Sequence, residues 1–207
     1  MKVLMINGSA NEHGCTYTAL HIIEETLHNE GIDTEIIWLG DEAMQDCVGC
    51  NACEKLGKCI FEDDIVNELL EKSKLAHGFI FGSPVHYAHP SGRLLSVLSR
   101  LFYAGARHLA YKPGAAIVSA RRAGTTASLD VIHKYFAINK MPIITSQYWN
   151  MVHGRSPEEV LQDIEGIQTM KILGENMAWI LKCIELGNHN NLPHPTPQNK
   201  QTTNFIR

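Results

Sequence analysis

Short apolar runs alternate with amphipathic segments along most of the chain. The first run, from Lys2 to Asn7, is ended by Gly8 and Ser9, which is typical of a strand buried on both faces. From Thr16 onward apolar residues recur at helical spacing, and a second apolar run follows. The apolar runs predict five strands, at residues 2–7, 34–39, 78–81, 115–118 and 142–146.

The amphipathic segments predict helices between and after these strands. They lie at residues 16–30, 63–73, 92–101, 125–139 and 156–186. Ser156 is expected to cap the last helix, with Pro157 at its first position and Glu159 completing a capping box. Gly187 is expected to end that helix, and Cys183 within it is expected to be a buried core residue.

Strands that alternate with helices predict an α/β fold with a doubly wound, mostly parallel sheet. Ligands of such sheets bind at the carboxyl ends of the strands, near the switch point. We see no internal repeat, so residues 1–187 are expected to form one domain. Residues 46–59, rich in cysteine, are predicted to be an inserted loop, and residues 188–207 a polar C-terminal tail.

Composition and charge exclude several classes of function. The 207 residues are 44% hydrophobic and 19% charged, which is enough apolar material for a sizeable core. With 18 basic and 22 acidic side chains the net charge is −4, which disfavours nucleic-acid or membrane-surface binding through bulk charge.

No apolar run is long enough to span a membrane, and the N-terminal run is too short for a signal peptide. We expect a cytoplasmic protein with reduced cysteines, whose clustered thiols indicate metal binding or redox chemistry.

The loop after the first strand, residues 8–18, is rich in glycine and hydroxyl groups. Ser9, Thr16 and Thr18, together with the free N–H groups of a helix N-terminus, suit a cluster of anionic oxygens. The loop is neither a Walker motif nor a dinucleotide fingerprint, and Cys15 lacks the following arginine that a cysteine phosphatase needs. A terminal phosphate such as that of FMN fits the loop, and an ordinary Ser/Thr-rich cap on a strand–helix turn is the alternative.

A second loop, residues 82–92, follows the third predicted strand. Pro84 and Pro90 stiffen it, and Tyr87 offers an aromatic face. The backbone amides of Ser91 and Gly92 lie at the start of the next predicted helix. A rigid backbone with hydrogen-bonding groups and one aromatic side chain suits a planar heterocycle.

Four segments resemble the flavodoxin-like NAD(P)H-dependent FMN reductases. The segment GSPVHYAHPSGRLLSVLSRLF is similar to that family's flavin loop and following helix, and GSANEHGCTYTAL is similar to its phosphate loop. SARRAGTTASLDVIHKYF and MPIITSQYWNMVHG resemble further family segments, and the resemblance extends over residues 1–186. It implies a flavodoxin-like fold with five parallel strands in the order 2-1-3-4-5, and FMN as the cofactor.

The resemblance also implies which residues bind FMN. One group would surround the phosphate: Ser9, Asn11, Cys15, Thr16 and Tyr17. A second group would line the isoalloxazine ring: Pro84, Val85, His86 and Tyr87. A third would lie at the ring edge: Arg121, Arg122, Ala123 and Gly124. Cys15 departs from the family, which usually has Asn or Ser there, and the two arginines could instead be a solvated pair at a strand end.

The inserted loop holds four cysteines in the spacing C-x2-C-x2-C-x5-C, at Cys47, Cys50, Cys53 and Cys59. Four thiolates so close in sequence can bind one cubane cluster, whereas zinc ribbons separate two C-x2-C pairs by a longer stretch. The motif resembles the compact cysteine motif of iron–sulfur flavoproteins, which implies a [4Fe–4S] cluster that exchanges electrons with FMN. A thiol-only loop without a cluster is the alternative.

These features together lead to an expected function. The protein is expected to be an oxidoreductase in which FMN takes hydride from NAD(P)H and passes electrons to a quinone, a flavin or a similar small acceptor. FMN carries the chemistry, so no catalytic side chain is named, and His86, Tyr87 and Arg121 are expected to shape the site. A different class is also open, an iron–sulfur flavoprotein electron carrier without substrate turnover that serves ferredoxin-like partners. A third alternative is a fold relative that has lost its flavin.

The tail generates a prediction about assembly. Phe205 and Ile206 would be costly to leave in water, so residues after about Leu192 are expected to wrap a neighbouring subunit of a homodimer or homotetramer. Removal of the residues after Leu192 should therefore lower the oligomeric state, measured by light scattering, and weaken FMN binding. An unchanged mass and an unchanged FMN affinity would contradict this role of the tail.

Overall fold

The computed structural model describes residues 1–196, 198–199, 201–203 and 205–206. The strands are β1 (Lys2–Asn7), β2 (Asp33–Trp38), β3 (Gly78–His86), β4 (His89–Pro90), β5 (Gly114–Ala120) and β6 (Met151–His153). The helices are α1 (Cys15–Asn29), α2 (Cys53–Leu56), α3 (Val66–Leu75), α4 (Gly92–Leu109), α5 (Thr125–Ile138), α6 (Pro157–Val160) and α7 (Ile164–His189). In this part of the chain no helix is both long and apolar enough to cross a bilayer.

The sheet has the strand order β2-β1-β3-β5-β6, and all of these neighbours pair in parallel. The two-residue strand β4 folds back antiparallel onto β3 and lies outside this order. With β4 set aside, the order is the predicted 2-1-3-4-5. The prediction of a doubly wound, flavodoxin-like parallel sheet is confirmed.

Both faces of the sheet are buried, as the apolar runs predicted. In β1, Leu4 and Ile6 pack into one core with residues of α3, α4 and α5, whereas Val3 and Met5 pack into a second core with α1 and α7. Because successive strand residues point to opposite faces, the continuous apolar run fills both cores at once.

The predicted fifth strand at residues 142–146 is wrong. Only Ile143 forms a bridge there, to Gly114, and the edge strand of the sheet is instead β6. Asn150 explains the change, because its side-chain Nδ2 donates to the carbonyl oxygens of Ala116 at 3.0 Å and Ile144 at 3.3 Å. A side-chain amide thus takes the place of strand pairing while the chain loops away from the edge of the sheet.

The long predicted helix at residues 156–186 is two helices. Ser156 does cap α6, because its hydroxyl accepts from the Glu159 N–H at 3.4 Å, but the Glu159 carboxylate accepts from Arg155 N–H rather than from Ser156. Asp163 then caps a new helix by accepting from Gly166 N–H at 2.9 Å. The chain therefore stops and restarts because a second N-cap lies within the amphipathic pattern.

The end of α7 also differs from the prediction. The helix continues past Gly187 to His189, so Gly187 is not its stop. Cys183 is exposed rather than buried. Met170, Leu173, Met177 and Leu181 form the buried face of α7, and Cys183 lies two residues beyond that face.

Candidate functional site

The carboxyl ends of β1, β3 and β5 meet at the switch point of the sheet, between β1 and β3. The Gly8 N–H donates to the Gly82 carbonyl at 2.9 Å, and the Ser91 hydroxyl donates to the Gly8 carbonyl at 2.7 Å. The Ser83 hydroxyl accepts from the Ser91 N–H at 2.8 Å. These bonds fix the first two predicted loops against each other at the edge where parallel sheets bind ligands.

The first loop presents an open helix N-terminus. Gly14 is the N-cap of α1, and within the described part of the chain no side chain caps the helix there. Nearby, the Asn11 N–H donates to the Ser9 hydroxyl at 3.1 Å, and the Trp38 indole N–H donates to the Ser9 carbonyl at 2.8 Å. The backbone N–H groups that begin α1 are thus left to bind an anion, which fits a terminal phosphate.

The structure separates the other residues predicted around the phosphate. The Thr16 side chain is buried, and its hydroxyl bonds the Ser119 hydroxyl of β5 at 2.9 Å, so the backbone N–H of Thr16 is the group it offers to a ligand. The Cys15 thiol points to the Gly154 carbonyl at 3.7 Å, and burial raises its pKa. The Tyr17 ring packs along the helix against the rings of His13 and His21.

The second loop is a tight hairpin rather than an irregular segment. Val85 pairs with Pro90 and His86 with His89. The two turn residues, Tyr87 and Ala88, have φ of +51° and +58°, a conformation that L-residues seldom adopt. The turn holds the Tyr87 ring fully in solvent at the rim of the site.

The third loop packs directly onto this hairpin. Gly124 has φ +91°, and a Cβ there would lie 2.6 Å from the Ala88 Cα and 3.0 Å from the Val85 Cγ1. Arg121 and Arg122 are exposed, and among the described residues neither guanidinium contacts a carboxylate. The residues predicted to line the isoalloxazine ring therefore lie against those predicted at the ring edge. Arg121 and Arg122, which belong to the ring-edge group, are exposed cations without carboxylate partners among the described residues.

The four cysteines of the inserted loop line one concavity. Side chains of α4 complete its lining beside Cys47, Cys50, Cys53 and Cys59. Burial raises the pKa of Cys53, and the charges of the other three cysteines raise it further.

The four thiol groups lie around one cavity, but they are not arranged as the ligands of a metal ion. In the described ranges no three His, Cys, Asp or Glu side chains converge closely enough to hold a metal ion. The donor set itself, four thiols around one hollow, is the set that an iron–sulfur cluster takes.

Two side chains from neighbouring helices anchor the C-terminal end of the cysteine loop. The Asn67 carboxamide accepts from the Cys59 N–H at 2.9 Å and donates to the Cys59 and Phe61 carbonyls at 3.1 and 2.9 Å. The Arg100 Nε donates to the Cys59 Sγ at 3.2 Å, and Arg100 also pairs with Asp64. Cys59 is therefore fixed in both backbone and side chain.

The comparisons with known proteins decide the family. The family model of the NADPH-dependent FMN reductases matches residues 1–156, about three quarters of the chain. The chain belongs to that family. An iron-sulfur flavoprotein of Methanocaldococcus jannaschii is 34% identical over 194 residues, which covers 89% of this chain and 100% of the relative. As a member of the FMN reductase family, the protein is an FMN flavoprotein and an oxidoreductase.

Solved structures agree on the fold of this family member. RosB with bound 8-demethyl-8-formylriboflavin-5'-phosphate has a TM-score of 0.67 at 14% identity, and covers 100% of this chain and 94% of that chain. A flavodoxin from the domain Archaea has a TM-score of 0.59 at 15% identity, and covers 88% of this chain and 99% of that chain. The assignment of individual residues to FMN stays a prediction.

Sequence reasoning missed several residues that build the site. Ser83 and Ser119 support the loops through their hydroxyls, and nothing distinguishes them from other serines in the sequence. Arg100 did carry a signal, because it is a cation among apolar residues on α4, one turn from Val97 and from Ala104. A charge on the buried face of a helix requires a partner, which here is Asp64.

The contact of Gly124 with the hairpin generates a prediction. We expect Gly124→Ala to weaken FMN binding by about tenfold or more and to lower the unfolding free energy by about 2 kcal/mol, because the new Cβ displaces the turn. Fluorescence titration and urea unfolding measure the two effects.

The matched control for this prediction is Gly31→Ala. Gly31 also has positive φ, +76°, but apart from its chain neighbours no atom of the described residues lies within 4 Å of its Cβ position. It should lose about 1 kcal/mol of stability from backbone strain alone and bind FMN normally. Normal FMN affinity in both variants would show that the hairpin is not part of the flavin site.

Proposed function

We propose that the protein takes hydride from NAD(P)H and passes electrons to a quinone, a flavin or a similar small acceptor, with a [4Fe–4S] cluster on Cys47, Cys50, Cys53 and Cys59. The observation that carries the proposal is the coexistence of two sites in one chain of this family. Three loops meet at the switch point, and four thiols line one cavity. The iron-sulfur name of the relative from Methanocaldococcus jannaschii supports the second site.

Different residues at the switch point would hold different parts of FMN. The open N-terminus of α1, with the Ser9 hydroxyl and Asn11, would bind the phosphate through N–H groups and without a basic side chain. The hairpin from Pro84 to Tyr87 and the backbone around Gly124 would hold the ring system in place. When bound, FMN supplies a two-electron acceptor for hydride that can also pass electrons singly.

The exposed arginines are suited to the hydride donor. Arg121 and Arg122 follow β5 at the same edge of the sheet, and the His153 ring is 3.0 Å from the Arg122 carbonyl oxygen. Two cations without carboxylate partners would attract the phosphates of a nicotinamide nucleotide and leave its ring free to reach the flavin. Their role is binding and orientation.

The exposed surroundings of the cysteine cavity favour a second candidate function. Val48, Ile60 and Tyr103 line this cavity and are all exposed. An apolar rim around a redox site suits contact with a protein partner, as in an iron–sulfur flavoprotein that carries electrons between ferredoxin-like proteins without turning over a substrate.

Assembly into a homodimer or homotetramer through residues 188–207 is part of the main proposal.

The cluster proposal predicts the iron content of cysteine variants. After anaerobic purification the full chain should contain about four iron and four acid-labile sulfides, and Cys50→Ser should lose most of both. Cys183→Ser is the matched control, because Cys183 is a free cysteine outside the loop and exposed. Wild-type protein with flavin and no iron would leave the cysteines as a thiol-only loop and overturn the cluster.

The hydride proposal predicts reduction of the FMN-loaded protein by NADPH or NADH. Stopped-flow bleaching of the flavin band should be fast. Arg121→Gln should raise the KM for the nucleotide about fivefold with kcat nearly unchanged, since it removes binding rather than chemistry. Lys171→Gln on α7, also exposed, is the charge-matched control and should behave as wild type. Failure of both nucleotides to reduce bound flavin would favour the electron carrier.

A further inference from the structure

We propose that Arg100 sets the reduction potential of the cluster through its contact with Cys59. The inference rests on the proposed function, because it requires a cluster on the four cysteines. Arg100 would act as a positioning and tuning residue: it would not ligate iron and would not touch FMN. Its charge and its N–H group would stabilise the electron that the cluster gains on reduction.

The guanidinium of Arg100 is buried and held on every side. Arg100 is 2% exposed, and it is among the largest fully buried side chains of the protein. Two of its nitrogens pair with the two carboxylate oxygens of Asp64. A third, Nε, donates to the Cys59 Sγ at 3.2 Å. Because each nitrogen has its own acceptor, the donor to sulfur has a fixed direction.

Backbone and aromatic contacts restrict the side chain further. The carbonyl of Gln45 accepts from Arg100 at 3.1 Å, and the Phe61 ring centroid lies 5.2 Å from the guanidinium carbon. An arginine guanidinium stays protonated in proteins, and Arg100 is 2% exposed. The group is therefore a positive charge beside the sulfur, poorly screened by water.

The contact singles out one of the four cysteines. In the described part of the chain, Cys59 is the one cysteine of the loop whose sulfur accepts a hydrogen bond. Reduction of a cluster adds negative charge that is shared with its ligand sulfurs. A hydrogen bond and a buried cation at one sulfur favour that added charge, and the nearby Asp64 carboxylate opposes it. Arg100 and Asp64 should thus act on the potential in opposite directions.

A purely structural role predicts something else. If Arg100 only ties the loop to α4, removal of either partner of the Arg100–Asp64 pair should loosen the loop and lower cluster content in both cases. The sign of the potential change separates the two roles, since loosening does not predict opposite shifts for the two variants.

The test is an anaerobic redox titration of the full-length protein, followed by electron paramagnetic resonance. Iron and sulfide are first measured in every variant. Arg100→Gln should disfavour cluster reduction by about tenfold in equilibrium constant, a shift of about 59 mV to lower potential. Asp64→Asn should shift the potential in the opposite direction. Lys171→Gln is the control, because it removes one positive charge at an exposed position of α7, on the other face of the sheet from α4, and should leave the potential unchanged.

A further variant covers the case in which Arg100→Gln does not retain a cluster. The double variant Arg100→Met with Asp64→Asn removes both charges and leaves no unpaired buried charge, so it should fold and retain its iron. Its potential should lie below that of the wild type, because the hydrogen bond to sulfur is lost.

The outcomes separate this inference from the proposed function. Iron-free wild-type protein would overturn both. Iron-loaded protein whose potential is unchanged in Arg100→Gln or in the double variant, or shifts in the same direction in Asp64→Asn, would overturn the role of Arg100 and leave the cluster in place.

Discussion

The contact between Gly8 and Gly82 determines where the first two loops of the proposed flavin site begin. The Gly8 N–H donates to the Gly82 carbonyl at 2.9 Å, and a Cβ on Gly8 would lie 2.9 Å from that same oxygen. A Cβ on Gly82 would lie 2.9 Å from the Thr16 Cγ2. Because neither position has room for a side chain, α1 begins directly against the ends of β1 and β3. The open helix N-terminus and the Tyr87 hairpin therefore diverge from one point, the switch point of the sheet.

The cysteine loop depends on a different constraint, a buried charge. Arg100 lies on the apolar side of α4, where an unpaired cation would be very unfavourable, and Asp64, two residues before α3, compensates its charge. The pair fixes residues 59–64, and Asn67 completes the attachment through the Cys59 backbone. The other three cysteines lie in the earlier part of the loop, where Gly49 and Asn51 have positive φ. The loop is thus fixed at its C-terminal end, so that Cys59 is already in place before any cluster binds.

The sequence predicted the structure best where the period of apolar residues alone determines the element. Continuous apolar runs predicted the buried parallel strands, and the Gly/Ser/Pro loops predicted the edge of the sheet where a ligand binds. The predicted strand at residues 142–146 was wrong, because the Asn150 side chain donates to the Ala116 and Ile144 carbonyls in place of strand pairing. No local sequence pattern indicates this contact. The break after Val160 was missed because Asp163 caps α7 inside an otherwise helical pattern. Arg100 was missed because its partner is 36 residues away in the chain.

We propose that one chain holds FMN at the switch point and an iron–sulfur cluster at the cysteine cavity. A reductive titration with dithionite under anaerobic conditions, with optical spectra recorded at each addition, tests both sites in one experiment. We expect uptake of about three electrons per chain, two by FMN and one by the cluster. Uptake of about two electrons with flavin bleaching alone would contradict the cluster. No flavin absorbance, with none gained on adding FMN, would contradict the FMN site as well.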